Sequence, residues 1–375
     1  MIRVLHIQET IRSGGVERRR LSMAKLLDKQ QFEMKLVCQH KGGTIGEEIE
    51  AEGVEVICLN RSLTGLFDRK QHKSIQKIIE DFKPHIIHGA VFEGVTMAAI
   101  NGYLKKVPII IIEETSDPQN RSWKGNLLMR FFAFFSDRVI GVSKAATDYL
   151  VKIGIPKSKV VLINNGVSIP RVVSAAEVLE CKKKFGIQET DFVIGSVGRM
   201  QDDNHKRFSD LIKSFALFAK EKSNVKLLLV GDGKQKETYI KLAAELGIGD
   251  KVIFAGSQYD VTLFYNMMNI FALFSAYEAF GLVLAEAMMN KLPVVATRVG
   301  GMQYIVADNE TGFLVEKFET AQMTEKFEIL YSNDELRISF GQKGLQRATA
   351  EFSEKRYVAE IKDLYLRMCA QKNII

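Results

Sequence analysis

The chain has 375 residues and a formal net charge of +7, with 46% hydrophobic and 26% charged residues. This length is too great for one ordinary hydrophobic core and suits two domains, and the composition excludes disorder as the main state. The basic balance fits a solvated surface or an anionic partner. Charge alone does not choose among nucleotide phosphates, anionic lipid and nucleic acid.

The cysteines show neither a disulfide framework nor a metal site. Cys38, Cys58, Cys181 and Cys369 form no C-x-x-C pair, and the histidines lack metal-ligand spacing. This pattern favours a reduced cytosolic protein. The first ten residues, MIRVLHIQET, lack the apolar core of a signal peptide, and no apolar run reaches the roughly 20 residues that span a bilayer. We therefore expect a cytoplasmic protein that at most lies on the inner face of the plasma membrane.

Short apolar runs alternate with helical patterns along the first half of the chain. The predicted strands lie at 2–7, 33–39, 54–59, 85–90, 107–114, 137–143 and 159–167. Amphipathic helices follow RSGGVE and occupy 71–82. The Val/Ile runs are continuous rather than alternating, which indicates strands that are covered on both faces. Strand–helix repetition then predicts a parallel, doubly wound α/β sheet.

The same pattern restarts after residue 170. The predicted strands are 192–200, 225–233, 251–256, 270–276, 292–297 and 311–315, and helices such as 207–222 and 236–248 separate them. The segment 168–190 is the predicted junction, and 351–372 is a predicted amphipathic helix. The sequence therefore predicts two doubly wound units.

Ligands of open α/β sheets bind beyond the carboxyl ends of strands, so site residues are expected in the loops that follow them. The first such loop, SGGVE at 13–17, places Gly14 and Gly15 before a helix N-terminus that can hold an anion. It does not match G-x-G-x-x-G, and a tight strand–helix turn is the competing interpretation. Similar Gly turns occur at Gly231 and Gly256. The exposed backbone at Gly256 could contact the edge of a base, and the alternative for both is a simple turn.

The loop GRMQDDNHKRF carries two cations after the first strand of the second unit. Arg199 and Lys206 suit a diphosphate, because Arg offers a planar fork and Lys a point charge. Surface ion pairs with Asp202 and Asp203 are the alternative.

The stretch SAYEAFGLVLAEAM at 275–288 places two glutamates in an apolar context. Gly281 opens a helix that is apolar on nearly every side, so Glu286 is expected to be a desolvated carboxylate with a definite partner. Glu278 lies before the helix, at the strand end. Each has a structural alternative, Glu278 as a helix N-terminal charge and Glu286 in an ion pair. Together they suggest carboxylates that accept hydrogen bonds from sugar hydroxyls.

From residue 2 to about 350 the chain resembles the retaining GT-B glycosyltransferases of family 4. The motifs are SGGVER, NNGV, VGRM followed by Lys206, LLLVGDG, FAG, the E-x7-E of EAFGLVLAE, and PVVATRVGG…ETGFLV. The resemblance implies two Rossmann-like domains that face each other across a cleft. An acceptor-binding domain would span 1–168 and include the C-terminal helix at about 352–375. A donor-binding domain would span 169–351.

The resemblance also implies roles for single residues. Glu278 would contact the donor sugar, and Glu286 would accept from the ribose hydroxyls. Arg199 and Lys206 would neutralise the leaving diphosphate, and with Glu278 they are the predicted catalytic residues. Backbone groups would complete the donor site at Gly14, Gly15, Gly231, Gly256, Phe280, Gly281 and Leu282.

The chain departs from the family pattern in its first half. Members often have H-x-H on the fourth strand, whereas HIIHGA gives His88 followed by Ala90. Members also often have a histidine after the next strand, where this chain has Glu113 and Glu114. These positions shape the sugar and acceptor pocket, so its predicted residues here are His88, Glu114 and Asn165.

The implied reaction is transfer of a sugar from a nucleotide-diphosphate donor, with UDP the commoner nucleotide. The implied acceptor is a hydroxyl of a saccharide or lipid-linked saccharide in cell-surface polysaccharide or lipopolysaccharide biosynthesis. We expect no metal and no cofactor, because Arg and Lys can stabilise the leaving charge. Alternatives are a nucleotide-sugar epimerase on the same fold and a non-catalytic nucleotide-sugar-binding protein. Nucleic-acid binding is disfavoured, because no recognition module is present and the basic residues are dispersed.

The segment NRSWKGNLLMRFFAFFSDR at 120–138 interleaves apolar and basic residues. A core helix of the N-terminal domain is the slightly favoured interpretation. The alternative is a helix that lies on an anionic membrane surface.

Overall fold

The computed structural model describes residues 1–12, 14–66, 68–116 and 121–374. The chain divides into two compact units, Met1–Val167 with Ser353–Ile375, and Ser168–Phe352. The boundary expected from the sequence, between 168 and 169, lies one residue from this division. The roles of the two units in acceptor and donor binding remain predictions.

The first unit is built on one parallel sheet. Its strands are β1 (Ile2–Ile11), β2 (Phe32–Lys41), β3 (Glu55–Cys58), β4 (Ile86–Ala90), β5 (Ile109–Glu114), β6 (Arg138–Gly141) and β7 (Val160–Leu162). They pair in the order β3-β2-β1-β4-β5-β6-β7. Neighbouring residues of β1 enter different cores, Val4 on one face and Leu5 on the other. The predicted doubly wound sheet, covered on both faces, is therefore confirmed.

Helices connect these strands. Within the described ranges they are α1 (Gly15–Leu26), α2 (Ile45–Ala51), α3 (Arg69–Phe82), α4 (Val91–Leu104), α5 (Trp123–Phe135) and α6 (Lys144–Lys152). Side-chain caps fix several of their starts: Asp68 accepts from the Gln71 N–H and Ser143 from the Ala146 N–H.

The second unit repeats the architecture with a smaller parallel sheet. Its strands, numbered on in chain order, are β8 (Phe192–Val197), β9 (Val225–Val230), β10 (Val252–Gly256), β11 (Ile270–Leu273), β12 (Val294–Thr297) and β13 (Gly312–Val315). They pair in the order β10-β9-β8-β11-β12-β13. The hydrogen-bonded neighbours β8 and β11 are thus far apart in sequence, and the direction of winding changes between them.

The helices of the second unit include short and long elements. They are α7 (Ala175–Lys184), α8 (Asp203–Lys206), α9 (Phe208–Phe218), α10 (Lys236–Glu245), α11 (Thr262–Tyr265), α12 (Leu282–Met289), α13 (Met302–Ile305), α14 (Thr320–Ser332) and α15 (Asp334–Glu351). Ser174 and Glu177 form a reciprocal capping box at the start of α7, soon after the predicted junction begins.

The last helix, α16 (Glu354–Gln371), packs in the core of the first unit. Tyr357, Ile361 and Tyr365 on its inner face are each at most 1% exposed. The expected return of the C-terminal helix to the N-terminal domain is confirmed. Among the described residues, no helix has the length and apolarity needed to cross a membrane.

Candidate functional site

The second unit brings three predicted residues to one edge of its sheet. The loop after β8 carries Arg199 and leads into α8, whose last residue is Lys206, and the loop after β11 carries Glu278. Since β8 and β11 are neighbours where the strand order reverses, both loops leave the sheet at a topological switch point. This is where open α/β sheets bind ligands.

Lys206 and Glu278 form an ion pair in this loop region. The Lys206 Nζ donates to Glu278 Oε2 at 2.5 Å, and the two side chains are 25% and 18% exposed. The alternative that Lys206 pairs with Asp202 or Asp203 is wrong. Asp202 accepts from His205, and Asp203 accepts from Ser209. A partly exposed ammonium and carboxylate that face each other can bind a phosphate and a sugar hydroxyl if each changes partner.

Backbone contacts hold the Glu278 loop in place. The Ala276 N–H donates to the His205 carbonyl at 2.7 Å, which ties the loop after β11 to α8. The Gly301 N–H donates to the Glu278 carbonyl at 3.0 Å. The Thr297 hydroxyl donates to the Ser275 carbonyl at 2.5 Å. The carboxylate is therefore presented from a loop that is fixed on both sides.

The glycine turns nearby have structural reasons for their residue type. Gly231 has φ of +138°, and a Cβ there would overlap the Gly198 carbonyl. Its N–H donates to the Gly256 carbonyl at 2.8 Å, so that carbonyl already has a donor. Arg199 lies exposed just beyond Gly198. Ligand contact by Gly231 and Gly256 stays a prediction.

The helix α12 begins directly after this site. Gly281 precedes it with φ of +103°, a left-handed conformation that favours glycine. The first N–H groups of a helix lack partners within the helix, and they can hold an anion at Leu282 and its neighbours. The Phe280 side chain is buried and packs edge-on against Phe352. Only its backbone is therefore suited to ligand contact.

Glu286 differs from its expected state. Most of α12 is buried as predicted, but Glu286 is half-buried rather than fully desolvated. Its Oε2 accepts from the Tyr265 hydroxyl at 2.9 Å, so the alternative of a Lys or Arg partner is wrong among the described residues. Tyr265 was not predicted as a site residue, because its hydroxyl comes from the short helix α11 in a run that reads as core.

The first unit has its own switch point, between β1 and β4. Gly14 follows β1 with φ of −89°, an extended conformation open to any residue, and Gly15 begins α1. A Cβ on Gly14 would overlap the Glu17 carboxylate, which accepts from the Thr10 hydroxyl at 3.2 Å. The start of α1 thus already faces a carboxylate of its own chain. Ser13 of this motif lies outside the described residues.

A pocket of about 180 Å³ lies at the carboxyl ends of β4 and β5. Its apolar walls come from α4 and α5, and its polar end holds Glu114, Ser116 and Arg121. Glu114 accepts from the Ser116 hydroxyl at 2.6 Å and pairs with Arg121. Val91, another lining residue, has φ of +63°, which is strained for a β-branched side chain. Glu114 therefore lines this pocket, and its role in sugar or acceptor binding stays a prediction.

His88 lies elsewhere, in a buried cluster. It is fully buried, its Nδ1 is 2.7 Å from the Tyr365 hydroxyl, and it does not line this pocket. Its place in a sugar or acceptor pocket stays a prediction. Arg20 donates to Glu113 at 2.7 Å, and both side chains are 0% exposed. Burial acts to raise the pKa of Glu113, but the Arg19 and Arg20 guanidiniums outweigh it and lower that pKa to about 2.

The same cluster keeps its histidine uncharged. Burial, helped by the Arg20 charge, lowers the pKa of His88 to about 3. A buried neutral imidazole bonded to Tyr365 holds α16 on the sheet. The sequence singled out His88 and Glu113 only as departures from the family pattern, and the three successive arginines at 18–20 were the other signal for this cluster.

Asn165 also has a structural contact. It is 3% exposed, and its carbonyl and that of Asn164 accept from the Arg356 guanidinium of α16. It does not line the pocket described for this unit. Its place in a sugar or acceptor pocket stays a prediction.

Two family models match this chain. The model described as Glycosyltransferase Family 4 matches residues 13–171, and the one described as Glycosyl transferases group 1 matches residues 178–347. The chain therefore belongs to the glycosyltransferases. Together the matched ranges take in both units and most of the chain.

Curated relatives of this glycosyltransferase have named activities. The N-acetyl-alpha-D-glucosaminyl L-malate synthase of Bacillus anthracis is 30% identical over 240 residues, which are 64% of this chain and 62% of that relative. This alignment thus spans less than two thirds of that relative's length. The UDP-Gal:alpha-D-GlcNAc-diphosphoundecaprenol alpha-1,3-galactosyltransferase of Escherichia coli is 22% identical over 327 residues, 84% of each chain.

A solved structure shares the fold of this glycosyltransferase. The crystal structure of Anabaena HepE in complex with UDP matches with a TM-score of 0.85 at 19% identity, covering 98% of this chain and 100% of that chain. The GT-B fold with two Rossmann-like domains, implied by the sequence resemblance, is confirmed.

Proposed function

We propose that this glycosyltransferase transfers a sugar from a UDP-sugar to a hydroxyl of a saccharide or lipid-linked saccharide, with retention of anomeric configuration. The observation that carries the proposal is the Lys206–Glu278 pair at the switch point of the second unit. Glu278 lies three residues before Gly281, which precedes α12. The acceptor class is supported by relatives named for undecaprenol-linked and capsular saccharide synthesis. We place the reaction in the cytoplasm and in cell-surface polysaccharide biosynthesis.

The second unit binds the donor in this proposal. When the diphosphate arrives, the Lys206 ammonium exchanges Glu278 for a phosphate, and the Glu278 carboxylate accepts hydrogen bonds from the sugar hydroxyls. Arg199 adds a second positive charge, and the N–H groups at Gly281 and Leu282 take the distal phosphate. Glu286, oriented by the Tyr265 hydroxyl, accepts from the ribose.

Bond breaking then needs stabilisation of the leaving group. The bond from the anomeric carbon to the diphosphate oxygen breaks as the acceptor oxygen bonds to that carbon from the same face. The acceptor hydroxyl transfers its proton to the departing diphosphate oxygen, and the nucleoside diphosphate leaves. Lys206 and Arg199 offset the negative charge that develops on it, which is the basis for proposing a metal-independent reaction.

The first unit binds the acceptor in this proposal. Its pocket joins apolar walls to a charged end formed by Glu114 and Arg121. Such an end can hydrogen-bond saccharide hydroxyls in both directions, since carboxylates accept and guanidiniums donate.

The test is a panel of nucleotide sugars incubated with and without lipid-linked and free saccharide acceptors. We expect release of UDP that depends on an acceptor, an α-linked product from an α-linked donor by NMR, and unchanged turnover in EDTA. Isomerised nucleotide sugar without acceptor would instead mean an epimerase. Tight donor binding with no turnover on any acceptor would mean a binding protein.

A further inference from the structure

One face of α5 exposes large apolar side chains to solvent. The fractional exposures are 71% for Trp123, 56% for Leu127, 48% for Phe131 and 75% for Phe134. Their spacings of four, four and three residues place them on one side of the helix. We call these four residues the α5 ridge. The opposite side, with Met129, Phe132 and Ala133, is buried in the first unit.

The slightly favoured expectation for the segment 120–138, a core helix of the N-terminal domain, describes the inner side of α5. The outer side is exposed to solvent. Asn120, at the start of the segment, lies outside the described residues. Scattered single apolar residues are normal on protein surfaces, whereas a continuous ridge on one helix calls for a partner.

The apolar surface continues from α5 onto α4. Tyr103 and Leu104, at the end of α4, are each 58% exposed. The Tyr103 ring centroid lies 4.6 Å from that of Phe135, which joins the two helix ends. The patch is therefore larger than the ridge alone.

The charged residues of α5 have one sign. The helix, WKGNLLMRFFAFF, contains Lys124 and Arg130 and no acidic residue. Both cations are exposed, and in the described part of the chain neither forms an ion pair. Arg130 follows Trp123 by seven residues, so it lies on the same side as the ridge. At the helix end, the Lys159 ammonium covers the carbonyls of Ala133 and Phe134.

We propose that the α5 ridge docks on an anionic lipid bilayer. The helix, about 20 Å long, would lie in the plane of the interface with the ridge at the boundary of headgroups and acyl chains. Lys124 and Arg130 would meet lipid phosphates. A second copy of the chain is a poorer occupant, because it would bring these cations together with no acidic residue on the helix face.

The chain provides its own probe for this proposal. Trp123 is its only tryptophan, so tryptophan fluorescence reports directly on α5. We expect vesicles of phosphatidylglycerol and phosphatidylcholine to shift the emission to the blue, and brominated acyl chains to quench it. Pure phosphatidylcholine vesicles should do so much less. The measurement needs no donor or acceptor, so its failure leaves the proposed reaction untouched.

Variants separate the apolar from the electrostatic contribution. Phe134→Glu should lower the vesicle partition coefficient about tenfold or more, because a large ring no longer enters the interface. Lys124→Gln and Arg130→Gln should each lower it about fivefold and weaken its salt dependence. The matched control is Leu217→Glu, which changes a residue that is 56% exposed, as Leu127 is, but lies on α9 of the second unit. It should bind as the wild type does.

Three results would overturn the proposal. The first is an unshifted, unquenched Trp123 with anionic vesicles. The second is an equal loss of binding in the Leu217 and Phe134 variants. The third is a lipid-free dimer by analytical ultracentrifugation that Phe134→Glu converts to monomer, because the ridge would then be an interface between copies. Leu127→Gln provides a milder second variant, and unchanged urea unfolding of each variant shows that folding is preserved.

Discussion

Lys206→Ala tests whether the ammonium of the switch-point pair serves the reaction or the fold. The Lys206 Nζ lies 2.5 Å from Glu278, and the side chains are 25% and 18% exposed. Fully exposed pairs contribute about 0–1 kcal/mol to stability, and breaking a fully buried pair costs about 3–5 kcal/mol. Breaking a pair of intermediate exposure should therefore lower the free energy of unfolding by roughly 1–2 kcal/mol.

The expected effect on catalysis is larger than this stability change. Loss of one group that stabilises developing negative charge typically costs about 2.7–4 kcal/mol, or 10²–10³ in kcat. The assay is UDP release at saturating donor and acceptor, together with urea unfolding of the same preparations. We expect kcat to fall by about 10²–10³ while the protein stays folded at the assay temperature.

The matched control is Lys222→Ala. Lys222 pairs with Glu328 at 2.7 Å, and its side chain is 20% exposed. Its loss should cost similar stability and leave kcat within about twofold, because it belongs to no predicted site. The reasoning is refuted if Lys206→Ala loses less than about tenfold in kcat, or if both variants lose activity equally.

Further predictions concern the donor site, the pocket and the buried cluster. Glu278→Ala should mainly lower kcat, whereas Glu286→Ala should raise the Kd for UDP about tenfold by calorimetry, in line with a lost charged hydrogen bond; equal, negligible effects would contradict both roles. Arg121→Ala should raise the acceptor KM about tenfold and leave the Kd for UDP unchanged, since a charged hydrogen bond to the acceptor is lost, and a changed UDP affinity would speak against a separate acceptor pocket. The free energy of unfolding should decrease as the pH falls below 6.5, because the unfolded chain protonates His88 there, whereas its pKa in the folded state is about 3. Below about 4.5 Glu113 adds to this decrease, because its pKa in the folded state is about 2. His88→Gln should remove about 1.4 kcal/mol per pH unit from the slope between pH 6.5 and 5 in urea unfolding, and an unchanged slope would count against a neutral buried His88.

Much of the fold could be predicted because parallel strands buried on both faces have an unmistakable pattern. The run Ile109–Ile112 indicates such a strand, and all four residues are buried. The same logic placed Lys206 and Glu278 on loops that follow strands. Their pairing could not be predicted, since it depends on the short helix α8 and on the left-handed Arg207 that follows it.

The buried cluster of the first unit escaped prediction for a physical reason. Arg20 and Glu113 are 93 residues apart, and His88 and Tyr365 are 277 apart. Charged residues are almost never fully buried unless paired, so an arginine read alone is assigned to a solvated helix face. Only tertiary packing reveals the partner. The exposure of Phe134 has a similar origin, because helical periodicity shows an apolar side without showing what covers it.

The two charged pairs also differ in what they can do. Arg20 and Glu113 are 0% exposed, so an exchange of partners would leave an uncompensated buried charge at a cost of about 3–5 kcal/mol. Lys206 and Glu278 are in contact with solvent, and a diphosphate can replace the carboxylate without burying an unpaired charge. The buried pair is therefore suited to fixing α1 against β5 in every state of the protein. The partly exposed pair is suited to a reaction in which negative charge develops on a leaving group and has to be stabilised by a nearby cation.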